Sequence, residues 1–300
     1  MRLRAALAAL LVAAASVSAH AAYDRSKLHP VYQEKSLYRN ILVLEGGGYR
    51  CITFGRYHGE QSCIELAQPG RMVIPYTKGL LSAFYAASAP RRVLVVGLGG
   101  GVLQRAIRDA FPQVEIDSVE LDPAVARVAG SHFGFAPDAR SRVYVDDARV
   151  FVRKQKRAGV RYDIILMDAF EKDYIPEHML TREFLAEVRS ILQPGGVVAS
   201  NTFADGELQA LEAATYQSVF GAVVDVEMDG GNRIILAGRD GLPSMQAMRA
   251  TAASLDARIT PLGFDSGYLL PRFKPQQPVK GVRVLTDQFA PSNLLLRLRH

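Results

Sequence analysis

The sequence predicts an α/β protein, a Rossmann-like nucleoside-binding domain preceded by a small N-terminal β-domain, and three observations lead there. From Arg91 onward short apolar strands alternate with helices. A glycine-rich loop, Gly97-Leu98-Gly99-Gly100-Gly101, joins the first of those strands to its helix, and the residues before it read as hairpins. Three hundred residues, 49% of them hydrophobic and 22% charged, can bury one large core or two smaller ones, which excludes a disordered or fibrous chain.

The chain opens on a segment that concerns destination rather than fold. Met1 to Arg4 carries two arginines, Ala5 to Val17 is apolar apart from Ser16, and Ala19-His20-Ala21 has the small-x-small pattern of a signal peptidase site. Residues 1–21 are therefore expected to be a cleaved secretory signal, with an uncleaved anchor or a buried helix as the alternatives; the apolar run is short of the ~20 residues a membrane-spanning helix needs. The mature protein is expected to be exported, periplasmic or secreted, and not membrane-bound. Removing Arg2 and Arg4 lowers the formal charge from +6 to +4, with no block of Lys and Arg, so nucleic acid is not an expected partner. Two cysteines and no H-x-x-x-H or C-x-x-C spacing argue against a structural metal.

Residues 22–78 form the expected β-domain. Asn40 to Leu44 faces Tyr49 to Phe54 across Glu45 and three glycines, and a third strand lies around Gln61 to Leu66. With the second hairpin centred near Tyr57, Cys51 and Cys63 fall opposite one another, within disulfide reach. The sequence leaves a bridge and two buried thiols equally open, because strand register is not fixed by pattern alone.

Residues 79–240 form the expected catalytic domain. Strands are predicted at 93–96, 114–120, 142–145, 162–167 and 196–201, helices at 103–111, 123–133, 148–155, 181–192 and 206–220, and a closing hairpin at 223–228 and 232–237; residues 241–300 are left as a helix and tail. Such alternation means right-handed βαβ crossovers and a mostly parallel sheet, whose ligands sit beyond the carboxyl ends of the strands. The first end is the glycine loop. Its G-x-G-x-G spacing departs from the dinucleotide G-x-G-x-x-G, since Val102 stands where the third glycine would be, and is similar to the loop of proteins that use S-adenosylmethionine or its relatives. Gly97, Gly99 and Gly101 are candidates for holding a nucleoside, with a plain tight turn as the alternative. The second end is Glu120, about 20 residues beyond the loop, where a carboxylate can accept from both ribose hydroxyls. The third is Asp146-Asp147, with Asp147 a candidate for the adenine amino group or simply a helix cap. The fourth carries Asp168, Glu171 and Asp173, three carboxylates suited to a cationic amine, or a solvated acidic loop.

Val31 to Ala237 resembles the spermidine synthase (polyamine aminopropyltransferase) family. The resemblance rests on Val93 to Gly101, Val119-Glu120-Leu121-Asp122, Asp147-Ala148-Arg149-Val150-Phe151, Tyr162 to Asp168, and Leu180 to Leu185 leading to Leu192-Gln193-Pro194-Gly195-Gly196; Val284 to Pro291 resembles the C-terminal signature of bacterial spermidine-synthase-like proteins. It implies transfer of an aminopropyl group from decarboxylated S-adenosylmethionine, as co-substrate with no prosthetic group, to a polyamine or other small amine. Asp168 would orient and deprotonate the amine and Glu171 hold its charge, with Gln61, Tyr76 and Asp173 on the substrate side. Family members often form dimers, so a homodimer is among the expected partners. The chain also departs from the family. Gly100 stands where the glycine loop usually carries an aspartate for the aminopropyl amine, Glu171 and Lys172 replace the second aspartate of D-x-x-D and the usual following proline, and Tyr76-Thr77-Lys78 replaces Tyr-His-Glu. An S-adenosylmethionine-dependent methyltransferase and a non-catalytic exported binding module are therefore the alternative readings.

Overall fold

The computed structural model describes residues 23–55, 59–87, 89–169, 176–203 and 206–297. The signal segment, the hairpin centre near Tyr57, and Glu171 and Asp173 lie outside the described residues. Two sheets organise the chain. The first is antiparallel, with five strands in sequence order: β1 (His29–Lys35), β2 (Asn40–Gly46), β3 (Tyr49–Phe54), β4 (Glu60–Glu65) and β5 (Gln68–Met72). Gly47 and Gly48 turn β2 into β3 with both φ angles positive, at 59° and 87°, which a two-residue hairpin of the primed type demands and a side chain at either position would resist. Next in the chain come the short helices α1 (Pro75–Leu80) and α2 (Ala83–Ala86).

Tyr76, Thr77 and Lys78, expected within the β-domain's run of strands, lie instead on α1. Pro75 stands at the first helical position, where its missing N–H costs nothing and its fixed φ favours the helix. The cysteine alternatives resolve in favour of the bridge: Cys51 pairs with Cys63 across β3 and β4, and the two form a disulfide.

The second sheet is built from β6 (Arg92–Val96), α3 (Val102–Ala110), β7 (Glu115–Glu120), α4 (Pro123–Phe133), β8 (Ser141–Val145), α5 (Ala148–Arg157), β9 (Tyr162–Met167), α6 (Arg182–Ser190), β10 (Leu192–Phe203), α7 (Glu207–Phe220), β11 (Val223–Glu227) and β12 (Asn232–Gly238). After them come α8 (Met245–Ile259), α9 (Ser266–Leu269), β13 (Phe273–Pro275) and α10 (Ser292–Arg297). The sheet order is β13-β11-β12-β10-β9-β6-β7-β8; β10, β9, β6, β7 and β8 run parallel, and the hairpin with β13 closes the edge antiparallel. Val93 to Val96 and Ile164 to Met167 are buried on both faces, which is why the central parallel strands read as continuous apolar runs.

Residues 241–300, expected as helix and tail, are built into this body. β13 joins the sheet through β11, and Gln276 donates to Asp225, which with Glu212 pairs the fully buried Arg233. Further on, Asp287 accepts from Arg149 of α5 and from the Thr181 hydroxyl that caps α6, so the signature run 284–291 is tied to the catalytic domain.

One apolar core lies on each face of the large sheet. Ile41, Val43 and Ile52 of the small sheet share a core with Leu80, Phe84, Val93 and Ile164. The β-domain thus packs on the α/β domain through a common interior, and the junction between them reaches the carboxyl ends of β6, β7 and β9.

Candidate active site

A cavity of about 580 Å³ opens at that junction, within the usual size range for a small-molecule site. Its walls include Gly97, Gly99, Glu120, Asp147 and Asp168 from the catalytic domain and Gln61 and Tyr76 from the N-terminal side, so seven of the predicted site residues converge.

The glycine loop is shaped by close approach. A Cβ at Gly97 would lie 2.2 Å from the carbonyl oxygen of Asp168, and φ there is 102°; the loop can press against the end of β9 only without a side chain. Gly101, expected to touch the nucleoside, does not line the cavity. It stands at the N-cap of α3 with a Cβ direction filled by the Phe135 ring, so its task is to let the chain turn. Gly100 likewise faces Phe133, whose ring would lie 2.9 Å from a Cβ, and the space an aspartate would need is taken.

Glu120 is held by two backbone N–H groups, those of Leu98 and Asp122, each 3.0 Å from one of its oxygens. These bonds join the glycine loop to the start of α4. Burial raises the Glu120 pKa above the ordinary carboxylate value, against the backbone N–H of Asp122 first and then the nearby Arg39 charge and the N–H of Leu98. Each carboxylate oxygen keeps a further lone pair for a ligand hydroxyl. Arg39 arrives from the β1–β2 turn, 4.0 Å from Asp122 and stacked over Phe54 at 4.5 Å, while the Ser36 hydroxyl donates to Asp122. The small sheet is thereby fastened to the rim of the cavity at its Glu120 end.

Of the two readings of Asp147, the helix cap is observed. Oδ1 accepts from the N–H of Val150 at 2.9 Å and caps α5, while Oδ2 lies 3.3 Å from Nε2 of His178, and the residue also lines the cavity. The His178 hydrogen bond, then the capping N–H, hold its carboxyl below the ordinary range in spite of partial burial. A ligand amino group at this place would share Asp147 with a cap and a histidine.

Asp168, at the end of β9, is half-buried. Its Oδ1 accepts from Nδ2 of Asn201 on β10 at 3.1 Å. Burial lifts its pKa to about 7; Asn201 and then the phenol of Tyr76 pull it down, and the charge of Glu120 pushes it up. Tyr76, itself buried, donates to the carbonyl of Gln61 at 2.7 Å, so α1 and β4 meet at the base.

Asn201, Arg39 and His178 were not anticipated. Arg39 and His178 line the cavity, and Asn201 stands behind Asp168. Arg39 sits in an ordinary polar turn, His178 in a three-residue turn (Glu177–Met179) too short to show a period, and Asn201 in a polar triplet, Ser200-Asn201-Thr202, at the end of an apolar strand, so no motif points to any of them.

The spermine/spermidine synthase domain model matches residues 76–225. The chain is 38% identical to the polyamine aminopropyltransferase of Vibrio vulnificus over 271 residues, 88% of this chain and 91% of that protein. The chain belongs to the spermine/spermidine synthase family. It is a transferase with the fold of that family: the crystal structure of a probable spermidine synthase from Corynebacterium glutamicum matches with a TM-score of 0.66 over 85% of this chain and 96% of its own, at 20% identity. Human methyltransferase-like protein 13, solved with SAH, matches over 64% of this chain and 96% of its own, with a TM-score of 0.56 and 27% identity. The α/β fold is thus shared with proteins of both kinds.

Proposed function

We propose that this transferase moves an aminopropyl group from decarboxylated S-adenosylmethionine to a polyamine or other small amine. The observation that carries the reading is one cavity with two chemically distinct ends. Glycine backbone and Glu120 suit a nucleoside at one end, and at the other stands the half-buried Asp168, whose pKa burial lifts to about 7, close to where a general base for an amine must work. The amine nitrogen attacks the methylene carbon beside the sulfonium; the new C–N bond forms as the C–S bond breaks, methylthioadenosine leaves as a neutral thioether, and the proton from nitrogen passes to Asp168. Asn201 keeps Asp168 in place, with the Tyr76 phenol beside it. Most of the acceleration then comes from orientation, as expected for a displacement with a good leaving group. Glu171 and Asp173 are proposed to hold the cationic amine.

The filled space at Gly100 and the likeness to a methyltransferase favour intact S-adenosylmethionine as a second reading. Titrating the purified mature protein with decarboxylated S-adenosylmethionine, S-adenosylmethionine and methylthioadenosine, then assaying products with a panel of diamines and triamines, separates the two. Methylthioadenosine release with an amine is expected; S-adenosylhomocysteine release would establish the second reading, and binding without any release would leave a binding module. Export is part of the proposal and is supported by the Cys51–Cys63 bridge, which an oxidising compartment favours. Finding the protein in the periplasm or medium with its N-terminus at Ala22 is the check.

A further inference from the structure

The bond from Asn201 to Asp168 is one link of a longer chain. Oδ1 of Asn201 accepts from Nδ2 of Asn232 at 3.0 Å, so Asn232, Asn201 and Asp168 form a single file of hydrogen bonds running from β12 through β10 to β9. Each orientation in the file follows from the next. An ionised carboxylate only accepts, so Asn201 presents its NH₂ to Asp168; its oxygen then faces Asn232, which presents NH₂ in turn. Asn201 is buried, 5% exposed, where a reversed amide would leave a polar atom facing a like one. Asn232 is well anchored for this: it pairs with Phe203 across the sheet, and its carbonyl accepts from the N–H of Met228 at 3.0 Å, directly after the Gly230-Gly231 turn.

We propose that Asn232 is a positioning residue for the base: through Asn201 it keeps a donor N–H on Asp168 and so favours the ionised carboxylate that accepts the proton. The inference rests on the reading of Asp168 as the base, but the file of hydrogen bonds acts on the carboxyl whatever the substrate. Among the described residues, the other groups that bear on Asp168 are the Tyr76 phenol from α1 and the Glu120 carboxylate from β7, itself opposed by Arg39. Neither belongs to the file, so substitution at Asn232 leaves them in place.

The test is a pH titration of the Asp168 carboxyl by ¹³C NMR on the full chain, with the resonance assigned by its loss in Asp168→Asn. In Asn232→Ala the Asn201 amide is released and the midpoint should rise by roughly half to one pH unit. In Asn232→Asp, of nearly equal size, an acceptor replaces the donor, turns the Asn201 amide round and adds a like charge, so the rise should be larger. The acid limb of methylthioadenosine release should move with the midpoint, while donor KM stays within about twofold. An unmoved midpoint in both folded variants overturns the proposal, and so does a limb that moves without the carboxyl. A wild type that binds nucleoside but releases no methylthioadenosine sinks the functional reading, while the carboxyl midpoint still decides the role of Asn232.

Discussion

Glu120 and Asp168 end the two strands that flank β6, and both are carboxyls at the edge of one cavity, yet they are held by different kinds of group. Glu120 takes one backbone N–H on each oxygen; Asp168, among the described residues, takes donors from side chains. A backbone N–H is fixed by the fold and cannot become an acceptor, so Glu120 is locked as an acceptor with its geometry set before any ligand arrives. A side-chain donor is fixed only by what holds it in turn, and Asn201 keeps its N–H on Asp168 because Asn232 donates to its oxygen. The binding end of the cavity is therefore wired directly to the backbone, and the Asp168 end through side chains that can be substituted one at a time. Burial raises both pKa values; at Asp168 it reaches about 7, which suits the proposed role of base near neutral pH.

The sharpest way to break this contrast is to remove each carboxyl in turn. Asp168→Asn preserves size and loses the base, so turnover should fall by ~10²-fold or more while donor affinity survives, measured as methylthioadenosine release beside calorimetric binding. Equal losses in both would mean that Asp168 belongs to the binding end. Glu120→Ala should behave oppositely, weakening an adenosine ligand by about tenfold or more through the loss of a charged acceptor worth ~1.5–3 kcal/mol. Unchanged affinity in a folded variant would place the ribose elsewhere.

A gentler test uses pH alone. Below about 7 the Asp168 carboxyl is protonated, so activity should fall about tenfold per pH unit on the acid side, with its midpoint near 7 in the pH profile. Stability should run the other way. The folded carboxyl binds its proton more tightly than the unfolded one, so the stabilisation is full below about pH 4 and is lost as pH rises through about 7. Asp168→Asn should consequently melt above wild type at pH 8, by an amount equivalent to about 1–3 kcal/mol, and lose that advantage at pH 4. A wild type whose melting temperature is the same at both values, relative to the variant, would show that burial does not act on this group.

What could be read from the sequence follows the same division. The parallel strands, the glycine loop and Glu120 were legible because each rests on local pattern: apolar runs, glycine spacing, an acid at a strand end. The Cys51–Cys63 bridge was legible only as one of two alternatives, because it depends on the register of β3 against β4. Gly101 was misread as a contact because a glycine that touches a ligand and a glycine that lets Phe135 pack look alike in one dimension. Asp147 was legible as two alternatives, and a carboxylate with two oxygens can serve both. The support of Asp168 was not legible, since Asn201 and Asn232 are thirty-one residues apart and meet only through the pairing of β10 with β12. The C-terminal residues escaped for a similar reason: β13 has only three residues, too few to show a period, and its place depends on β11.

The smallest effect tests whether the N-terminal side serves only the reactive end. The phenol of Tyr76 donates to the Gln61 carbonyl at 2.7 Å and also favours the ionised form of Asp168. Tyr76→Phe keeps the ring in its buried place and removes one hydroxyl, leaving the Gln61 carbonyl short of a donor and Asp168 short of a favourable neighbour. A neutral hydrogen bond is worth ~1 kcal/mol, so kcat/KM for the amine should fall by about fivefold. The acid limb should move up by a few tenths of a pH unit, because the lost group lowered the Asp168 pKa. Glu120, the glycine loop and Asp147 do not depend on this hydroxyl, so the affinity for methylthioadenosine should stay within about twofold. If it falls as far as turnover does, Tyr76 holds both ends of the cavity together, and the division between a backbone-wired binding end and a side-chain-wired reactive end no longer stands.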